Sequence, residues 1–330
     1  PISETLYNLG NVLHNLDQVA AAITHYECAL KINPDYIEAS NNLGIALKEA
    51  GHLKKAIKHY EDTLKIKPDY AEAHYNLGVI LQETSRLKEA VNHYEQALKI
   101  KPHYAEAYNN LGMTLQDSGQ PDTAINNYKN AISINPNYAE AHNNLGVSLH
   151  ETHQSVIAIT SYHKAIQLKP DYAEAYYNRG IVFQRLGQLT EALENYALAI
   201  QFKPDYIEAY SNRGATLQKL GQLDQAVENY DKAIQLNPDY AEAYNNRGNA
   251  LKELGLLDQA VKNYDKAIQL KPDYAKAYTH RGNALKELGQ LNKALGDYDH
   301  VIQLQPDSIE AYNNRGNVLK ELGQSEEAAA

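Results

Sequence analysis

The sequence is poor in several residue types, and each shortage excludes a class of structure or chemistry. It has no tryptophan, one methionine, two phenylalanines and only Cys28 as cysteine, which excludes an intrachain disulfide and a cysteine-based zinc cluster. No stretch approaches the roughly 20 apolar residues that a membrane-spanning helix needs. The formal net charge of −10, with no basic run, opposes nucleic-acid phosphates. We therefore expect a cytoplasmic protein with no nucleic-acid or membrane partner.

Catalytic signatures are missing as well. The sequence contains no glycine-rich phosphate loop, no nucleophile elbow and no His-Glu-x-x-His helix. His150 and His153 have helical spacing, but no third ligand accompanies them. We therefore predict that this chain is not an enzyme and holds no metal or cofactor.

Proline and glycine recur with a period of 34 residues that continues through the whole chain. The prolines are Pro34, Pro68, Pro102, Pro136, Pro170, Pro204, Pro238, Pro272 and Pro306. The glycines are Gly10, Gly44, Gly78, Gly112, Gly146, Gly180, Gly214, Gly248, Gly282 and Gly316. A fixed period of this length indicates an array of copies of one supersecondary unit.

Each unit has the pattern of a helical hairpin. Apolar or small residues recur three or four apart in both halves of the unit, which is typical of a helix face. A glycine such as Gly255 separates the halves, and a proline such as Pro272 ends the second one. Gly248 and Ala260 lack bulk where the helices must approach closely. One hairpin cannot bury its own faces, so we expect stability to come from stacked neighbours.

The 34-residue period with Leu-Gly, then tyrosine, alanine, tyrosine, alanine and proline resembles the tetratricopeptide repeat, and it covers essentially the whole chain. The array is similar to the superhelical repeat arm of O-GlcNAc transferases and to related bacterial scaffolds. The resemblance implies an all-α, right-handed α-solenoid superhelix of about ten helix-turn-helix units in a single array, 1–330. The expected units are 3–36, 37–70, 71–104, 105–138, 139–172, 173–206, 207–240, 241–274, 275–308 and a partial unit, 309–330.

Two irregularities interrupt the repeat. Around 152–155 the glycine between the helices is missing, which predicts a looser turn. Beyond that point the residue before the repeat glycine changes from leucine to arginine, so the array has two sequence halves. The tenth unit stops before its expected tyrosine and proline, and neither end shows a polar capping helix, which favours a fragment of a longer protein.

The first helix of each unit lines the concave face in the family that the chain resembles, so candidate binding residues lie around each repeat glycine. Two residues before it stands an asparagine, with His280 as the exception. We call this column the asparagine ladder: Asn8, Asn42, Asn76, Asn110, Asn144, Asn178, Asn212, Asn246 and Asn314. An amide can pair with both the N–H and the C=O of an extended peptide. Bonding to a neighbouring repeat is the alternative explanation of the column.

A second column follows each repeat glycine directly. It is apolar in the first half, at Ile45, Val79, Met113, Val147 and Ile181, and polar in the second, at Asn249, Asn283 and Asn317. If the column is exposed, the groove has an apolar floor followed by a polar one. Helix packing is the alternative role.

Two charged columns complete the candidates. The arginines Arg179, Arg213, Arg247, Arg281 and Arg315 have the fork geometry for an anion, although their stems can also substitute for leucine. Glutamates such as Glu72 recur six residues before the glycine, where they offset the helix dipole and also give an acidic rim that attracts a basic ligand.

The columns together predict a scaffold that holds an extended or helical segment of a partner protein. The acidic rim is compatible with a basic segment. Two alternatives stay open. In the first, the array is the substrate-recruiting arm of a larger enzyme resembling an O-GlcNAc transferase. In the second, it forms a homo-oligomer by end-to-end stacking of terminal repeats.

Overall fold

A computed structural model describes residues 2–324, and this part of the chain forms nineteen α-helices and no strand. Each repeat consists of a first helix and a second helix joined by a three-residue turn. The chain divides into two compact units between Pro170 and Asp171. None of the described helices is long and apolar enough to cross a membrane.

Unit 1 contains five repeats. Its helices are α1 (Ile2–Asn15), α2 (Val19–Ile32), α3 (Ile37–Glu49), α4 (Leu53–Ile66), α5 (Ala71–Glu83), α6 (Leu87–Ile100), α7 (Ala105–Asp117), α8 (Pro121–Ile134), α9 (Ala139–Glu151) and α10 (Ser155–Leu168). Within the unit, the first helices of the third, fourth and fifth repeats each contact the first helix of the repeat before.

Unit 2 contains four complete repeats and the first helix of a fifth. Its helices are α11 (Ala173–Arg185), α12 (Leu189–Phe202), α13 (Ile207–Lys219), α14 (Leu223–Leu236), α15 (Ala241–Glu253), α16 (Leu257–Leu270), α17 (Ala275–Glu287), α18 (Leu291–Leu304) and α19 (Ile309–Glu321). The end of the partial tenth unit, 325–330, lies outside the described residues.

The distance between the two helices of a repeat is set by a glycine and a tyrosine. A Cβ atom built on Gly112 lies 2.7 Å from Cε1 of Tyr128, so no larger residue fits without moving the ring. The ring itself is fully buried. The same contact recurs in the other repeats that have both helices. In each of them, the tyrosine of the second helix lies against the glycine of the first. These tyrosines are Tyr26, Tyr60, Tyr94, Tyr128, Tyr162, Tyr196, Tyr230, Tyr264 and Tyr298.

Stacking of successive repeats closes the core, as the pattern predicts. In unit 2 the buried Leu251, Ala260 and Tyr264 of one repeat cluster with Ala284 of the next. Burial of a side chain of the size of Leu251 stabilises by about 1.5–3 kcal/mol. The predicted all-α class and the array of helix-turn-helix repeats are therefore confirmed.

The prediction of a looser turn around 152–155 is wrong. The turn between α9 and α10 has three residues, as the turn between α7 and α8 does. His153 adopts φ +62°, the left-handed conformation that Gly119 adopts at φ +75°. The amide of Gln154 donates to the carbonyl of Leu149 at 2.7 Å, which closes the turn. The backbone thus reaches the same geometry without glycine, at the cost of a strained residue.

Candidate functional site

The amides of the asparagine ladder connect successive repeats. In five ladder residues the Nδ2 group donates to a side-chain oxygen on the first helix of the preceding repeat. These bonds join Asn42 to Asn11 (2.9 Å) and Tyr7 (3.4 Å), Asn76 to Asn41 (2.8 Å), Asn110 to Tyr75 (3.1 Å), Asn144 to Asn109 (3.1 Å) and Asn212 to Tyr177 (3.0 Å). Each contributes about 0.5–1.5 kcal/mol to the contact between repeats. The ladder therefore has a structural role, one of the two that the sequence left open.

The exception in the ladder makes the same connection. His280 places Nδ1 2.8 Å from Oδ1 of Asn245, which lies 35 residues earlier in the chain. Burial lowers the pKa of His280, and the nearby Lys252 and Lys276 lower it further, so the ring is neutral at pH 7. At this position a neutral imidazole thus makes the contact with the preceding repeat that an amide makes in the five residues above.

The other ladder residues differ in exposure and partners. Asn8 is exposed, while Asn178, Asn246 and Asn314 are half-buried. The oxygen of Asn246 accepts a bond from the neighbouring Asn245 at 3.2 Å, as those of Asn110 and Asn144 do from the residues before them. In the described chain, the Oδ1 atoms of Asn42, Asn76 and Asn212 accept no side-chain hydrogen bond. The bonds between repeats that these three residues form thus use the amide nitrogen and not the oxygen.

The second column is accessible along unit 1. Ile45, Val79 and Val147 are half-buried, and Met113 is 38% exposed. Between α3 and α5 a cavity of about 460 Å³ is lined by Ile45, Val79, Asn76 and the ring of Tyr60, and also by the charged Lys48 and Glu49. The fold therefore brings Asn76 of the ladder together with Ile45 and Val79 of the second column in the lining of one cavity.

The same column has a different role in unit 2. Ile181 is half-buried and Asn317 is exposed. The oxygens of Asn249 and Asn283 accept hydrogen bonds from the hydroxyls of the buried Tyr264 and Tyr298, at 2.9 and 2.8 Å. The oxygens of these two residues are thus used in contacts between the two helices of one repeat.

The arginine column points to the second helices. Nε and Nη2 of Arg281 donate to both oxygens of the buried Asp297, at 2.9 and 2.5 Å, and Nη1 donates to Asp265 at 2.6 Å. The other arginines bond to Asn195 (Arg179, 2.8 Å), Asn229 (Arg213, 3.4 Å), Asp231 (Arg247, 2.9 Å) and Asp299 (Arg315, 2.6 Å). Their guanidinium groups serve contacts inside the array, so we propose no external anion there.

The glutamate column is partly neutralised. Glu72, near the start of α5, lies 3.0 Å from Nζ of Lys101, just beyond the end of the second helix of the same repeat. The same pair recurs as Glu140 with Lys169, Glu174 with Lys203 and Glu242 with Lys271. Such exposed pairs contribute about 1 kcal/mol at most, but they reduce the acidity of this rim.

The sequence reasoning missed the acceptors of the ladder bonds. Apart from Asn11, which directly follows Gly10, they occupy the position three residues before the repeat glycine, where an oxygen-bearing side chain such as Tyr75, Asn109 or Asn245 recurs. That recurrence was the available signal. Within residues 2–324, no group of three or more His, Cys, Asp or Glu side chains converges as a metal site. Nδ1 of His150 lies 3.1 Å from Oγ of Ser155.

Family models match most of the chain. A model described as TPR repeat matches residues 83–119, 115–152, 158–187, 185–221, 219–255, 248–289 and 282–323. A model described as Tetratricopeptide repeat matches residues 1–69. A comparison with curated proteins found no match.

Several solved structures are similar to this chain. YrrB, described as a TPR protein with an unusual peptide-binding site, is 27% identical over 56% of this chain and 96% of its own, with a TM-score of 0.48. MamA is 31% identical over 50% of this chain and 97% of its own, with a TM-score of 0.46. The APC/C hetero-tetramer Cut9–Hcn1 is 15% identical over 96% of this chain and 76% of its own, with a TM-score of 0.61.

The last of these supports the fold alone, because its identity is low. The family matches, in contrast, extend over most of the helices described above. The repeats of this family are typically non-catalytic and act as scaffolds for protein interaction. The chain belongs to the tetratricopeptide repeat family.

Proposed function

We propose that this scaffold binds an extended segment of a partner protein along the first helices of unit 1. The observation that carries the proposal is the cavity of about 460 Å³ between α3 and α5, where Ile45 and Val79 of the floor meet Asn76 of the ladder. A concave site with apolar walls and a few polar groups is typical of ligand recognition.

The lining defines the chemistry of the segment. An apolar side chain of the partner can occupy the cavity between Ile45 and Val79. Its burial there favours binding by about 0.8 kcal/mol for each methylene removed from water. The Oδ1 atoms of Asn42 and Asn76 accept from backbone N–H groups, so this part of the contact does not depend on the partner's side chains. The net charge of −10 adds long-range attraction for a basic segment, and salt weakens that attraction.

The test replaces the floor without disturbing the ladder. Ile45→Asn with Val79→Asn introduces the residue that the chain itself has at this position at Asn249 and Asn283, so we expect the variant to fold. A matched control changes a surface away from the floor. Val156→Lys with Ile157→Lys alters two residues that are 72% and 56% exposed on α10, where α4 carries lysines.

Both variants and the unaltered chain are screened against a peptide array, with circular dichroism to verify folding. We expect peptides with apolar side chains to bind the unaltered chain and the α10 variant, and to be lost or weakened at least about tenfold with the floor variant, because two apolar contacts are removed. Equal binding to all three proteins would show that the floor is not the site.

The ladder itself needs a different substitution. Asn76→Ala removes the bond to Asn41 as well as any contact with a ligand, so its effect on binding is ambiguous. Asn76→His keeps a donor to the preceding repeat, as His280 does, and removes the amide oxygen. We expect this variant to keep its stability and to bind more weakly; unchanged peptide affinity would restrict the ladder to its structural role.

A further inference from the structure

A pair of histidines lies in the third repeat, on helices α5 and α6. Nδ1 of His74 stands 2.9 Å from Nδ1 of His93, and the ring centroids are 5.2 Å apart with planes tilted by 33°. Both residues are half-buried. Neither belongs to the asparagine ladder or to the floor, so the proposed binding site does not explain them.

The contact with the backbone fixes the tautomer of His74. Nε2 of His74 lies 3.1 Å from the carbonyl oxygen of Pro68, which only accepts, so Nε2 carries the proton. Nδ1 of this neutral ring therefore carries a lone pair, which accepts a hydrogen bond from Nδ1–H of His93. A histidine whose second nitrogen donates to a backbone carbonyl has the arrangement that orients imidazoles toward metals.

Both rings are neutral at pH 7, as a metal ligand must be. Burial lowers the pKa of His74, and burial together with repulsion from His74 lowers the pKa of His93 to about 4. Arg86, which directly precedes α6, donates to both oxygens of Glu89 at 2.7 and 2.6 Å. Its charge is therefore offset beside the pair.

The other repeats lack this pair, because histidine occurs at only one of the two corresponding positions or at neither. The corresponding positions hold Ser40 with His59, Tyr108 with Asn127, and His142 with Ser161 in unit 1. His142 repeats the backbone contact, with Nε2 3.1 Å from the carbonyl of Pro136, but the side chain across from it is a serine. The sequence places two histidines at these positions in the third repeat alone.

We propose that His74 and His93 form a two-histidine site for a divalent transition-metal ion, with copper(II) bound more tightly than zinc and water completing the coordination. Two nitrogens at right angles about an ion, each at about 2.0–2.1 Å, are about 2.9 Å apart, which is the separation observed between the Nδ1 atoms. A turn of the His93 ring aims its lone pair at an ion held by His74. The His93 proton moves from Nδ1 to Nε2, so no net proton is released above its pKa.

The site joins the two helices of one repeat, so binding stabilises the folded hairpin as metal concentration rises. The test uses the full chain with copper(II) chloride and zinc chloride. Calorimetry gives the affinities, and electron paramagnetic resonance counts the nitrogens bound to copper. We expect one tightest site with two nitrogen ligands and a rise in melting temperature on metal addition.

The chain offers matched variants. His74→Tyr and His93→Asn introduce the residues that several other repeats have at these positions, and each is expected to weaken the tightest site at least about tenfold, because one ligand of a chelate is lost. His142→Tyr is the control, since it removes a histidine with the same backbone contact and should leave the tightest site unchanged. Ser161→His should add a second site of the same kind opposite His142.

Two results would overturn the proposal. One is copper bound through a single nitrogen in the unaltered chain, which would show that the thirteen histidines act as separate surface sites. The other is an unchanged tightest site in both His74→Tyr and His93→Asn, with folding confirmed by circular dichroism.

Discussion

Two glycines of the ninth repeat respond to the same substitution in opposite directions. Both lie inside helices, Gly282 on α17 and Gly296 on α18. A Cβ atom added to Gly282 would lie 2.8 Å from Cε1 and 3.0 Å from Cζ of Tyr298, whereas one added to Gly296 meets nothing within 4 Å. The pair therefore separates the packing role of glycine from its intrinsic effect on a helix.

The magnitudes follow from two opposing contributions. Glycine to alanine inside a helix stabilises by about 0.8–1.0 kcal/mol, which is the whole expected effect of Gly296→Ala. In Gly282→Ala the overpacking costs about 1–3 kcal/mol. The ring of Tyr298 is 0% exposed and packs in a cluster with Leu285, Ala294 and Val318, so it has no free space to occupy. We expect a net destabilisation of about 1–2 kcal/mol, at the upper part of the overpacking range less the helix gain.

The assay is guanidinium unfolding of the full chain followed by far-ultraviolet circular dichroism. Because stacked repeats can unfold in segments, hydrogen exchange of the α17 and α18 amides accompanies it. The expected order of local stability is Gly296→Ala, unaltered chain, Gly282→Ala. Equal stabilisation by both substitutions would refute the steric account of the repeat glycine.

Three further predictions concern the charged and strained positions. Arg281→Leu leaves the buried carboxylate of Asp297 without its bidentate partner, so we expect the free energy of unfolding to fall by about 3 kcal/mol at pH 7. Arg213→Leu should lower it by less than about 1 kcal/mol, because this arginine has only a 3.4 Å bond to an asparagine. Denaturant unfolding of the two variants compares these values. His280 has a lowered pKa when folded, so the unfolded chain binds the additional proton and stability falls as pH drops below about 6.5; His280→Asn, the ladder residue, should remove that part of the dependence in melting curves at several pH values. His153→Gly relieves a left-handed residue and should raise stability by up to about 1 kcal/mol in thermal unfolding, after the entropy gained by the unfolded chain is subtracted.

Each of these has a contrary result. Equal costs for Arg281→Leu and Arg213→Leu would mean that the carboxylate does not depend on its arginine. An unchanged pH dependence in His280→Asn would assign the effect to other histidines. A destabilised His153→Gly would show that the histidine side chain makes contacts worth more than the relief of strain.

The positions of the helices could be predicted from the sequence because the period is strict. The repeat glycine, the buried tyrosine and the terminal proline each have one steric explanation, and the structure places them where that explanation requires. The turn at His153 could not be predicted, because the hydrogen bonds of the turn hold a non-glycine residue in a conformation that it seldom adopts alone.

The sequence predicted which positions of the repeat hold candidate residues, but not which partners those residues contact. Asn76 was a candidate for its amide, and the same amide could serve a ligand or a neighbour; the distance to Asn41 decides that its nitrogen serves the neighbour. The role of the arginine column was ambiguous for the same reason, because a guanidinium group can bind an external anion or a side chain of the array. Arg281 is committed to Asp297 and Asp265, which are 16 residues away on either side and become adjacent only when second helices stack.

By itself, the sequence determined the repeat, the helix-turn-helix unit and the residues that share a column, because these depend on local periodicity and on the steric needs of glycine and proline. The tertiary structure decided which atoms of a column are used in contacts within the array. It also brought His74 and His93 together, since two residues 19 positions apart meet only when their helices pack in one hairpin. Periodicity fixes the face of a helix, whereas contacts across helices depend on distances that only packing sets.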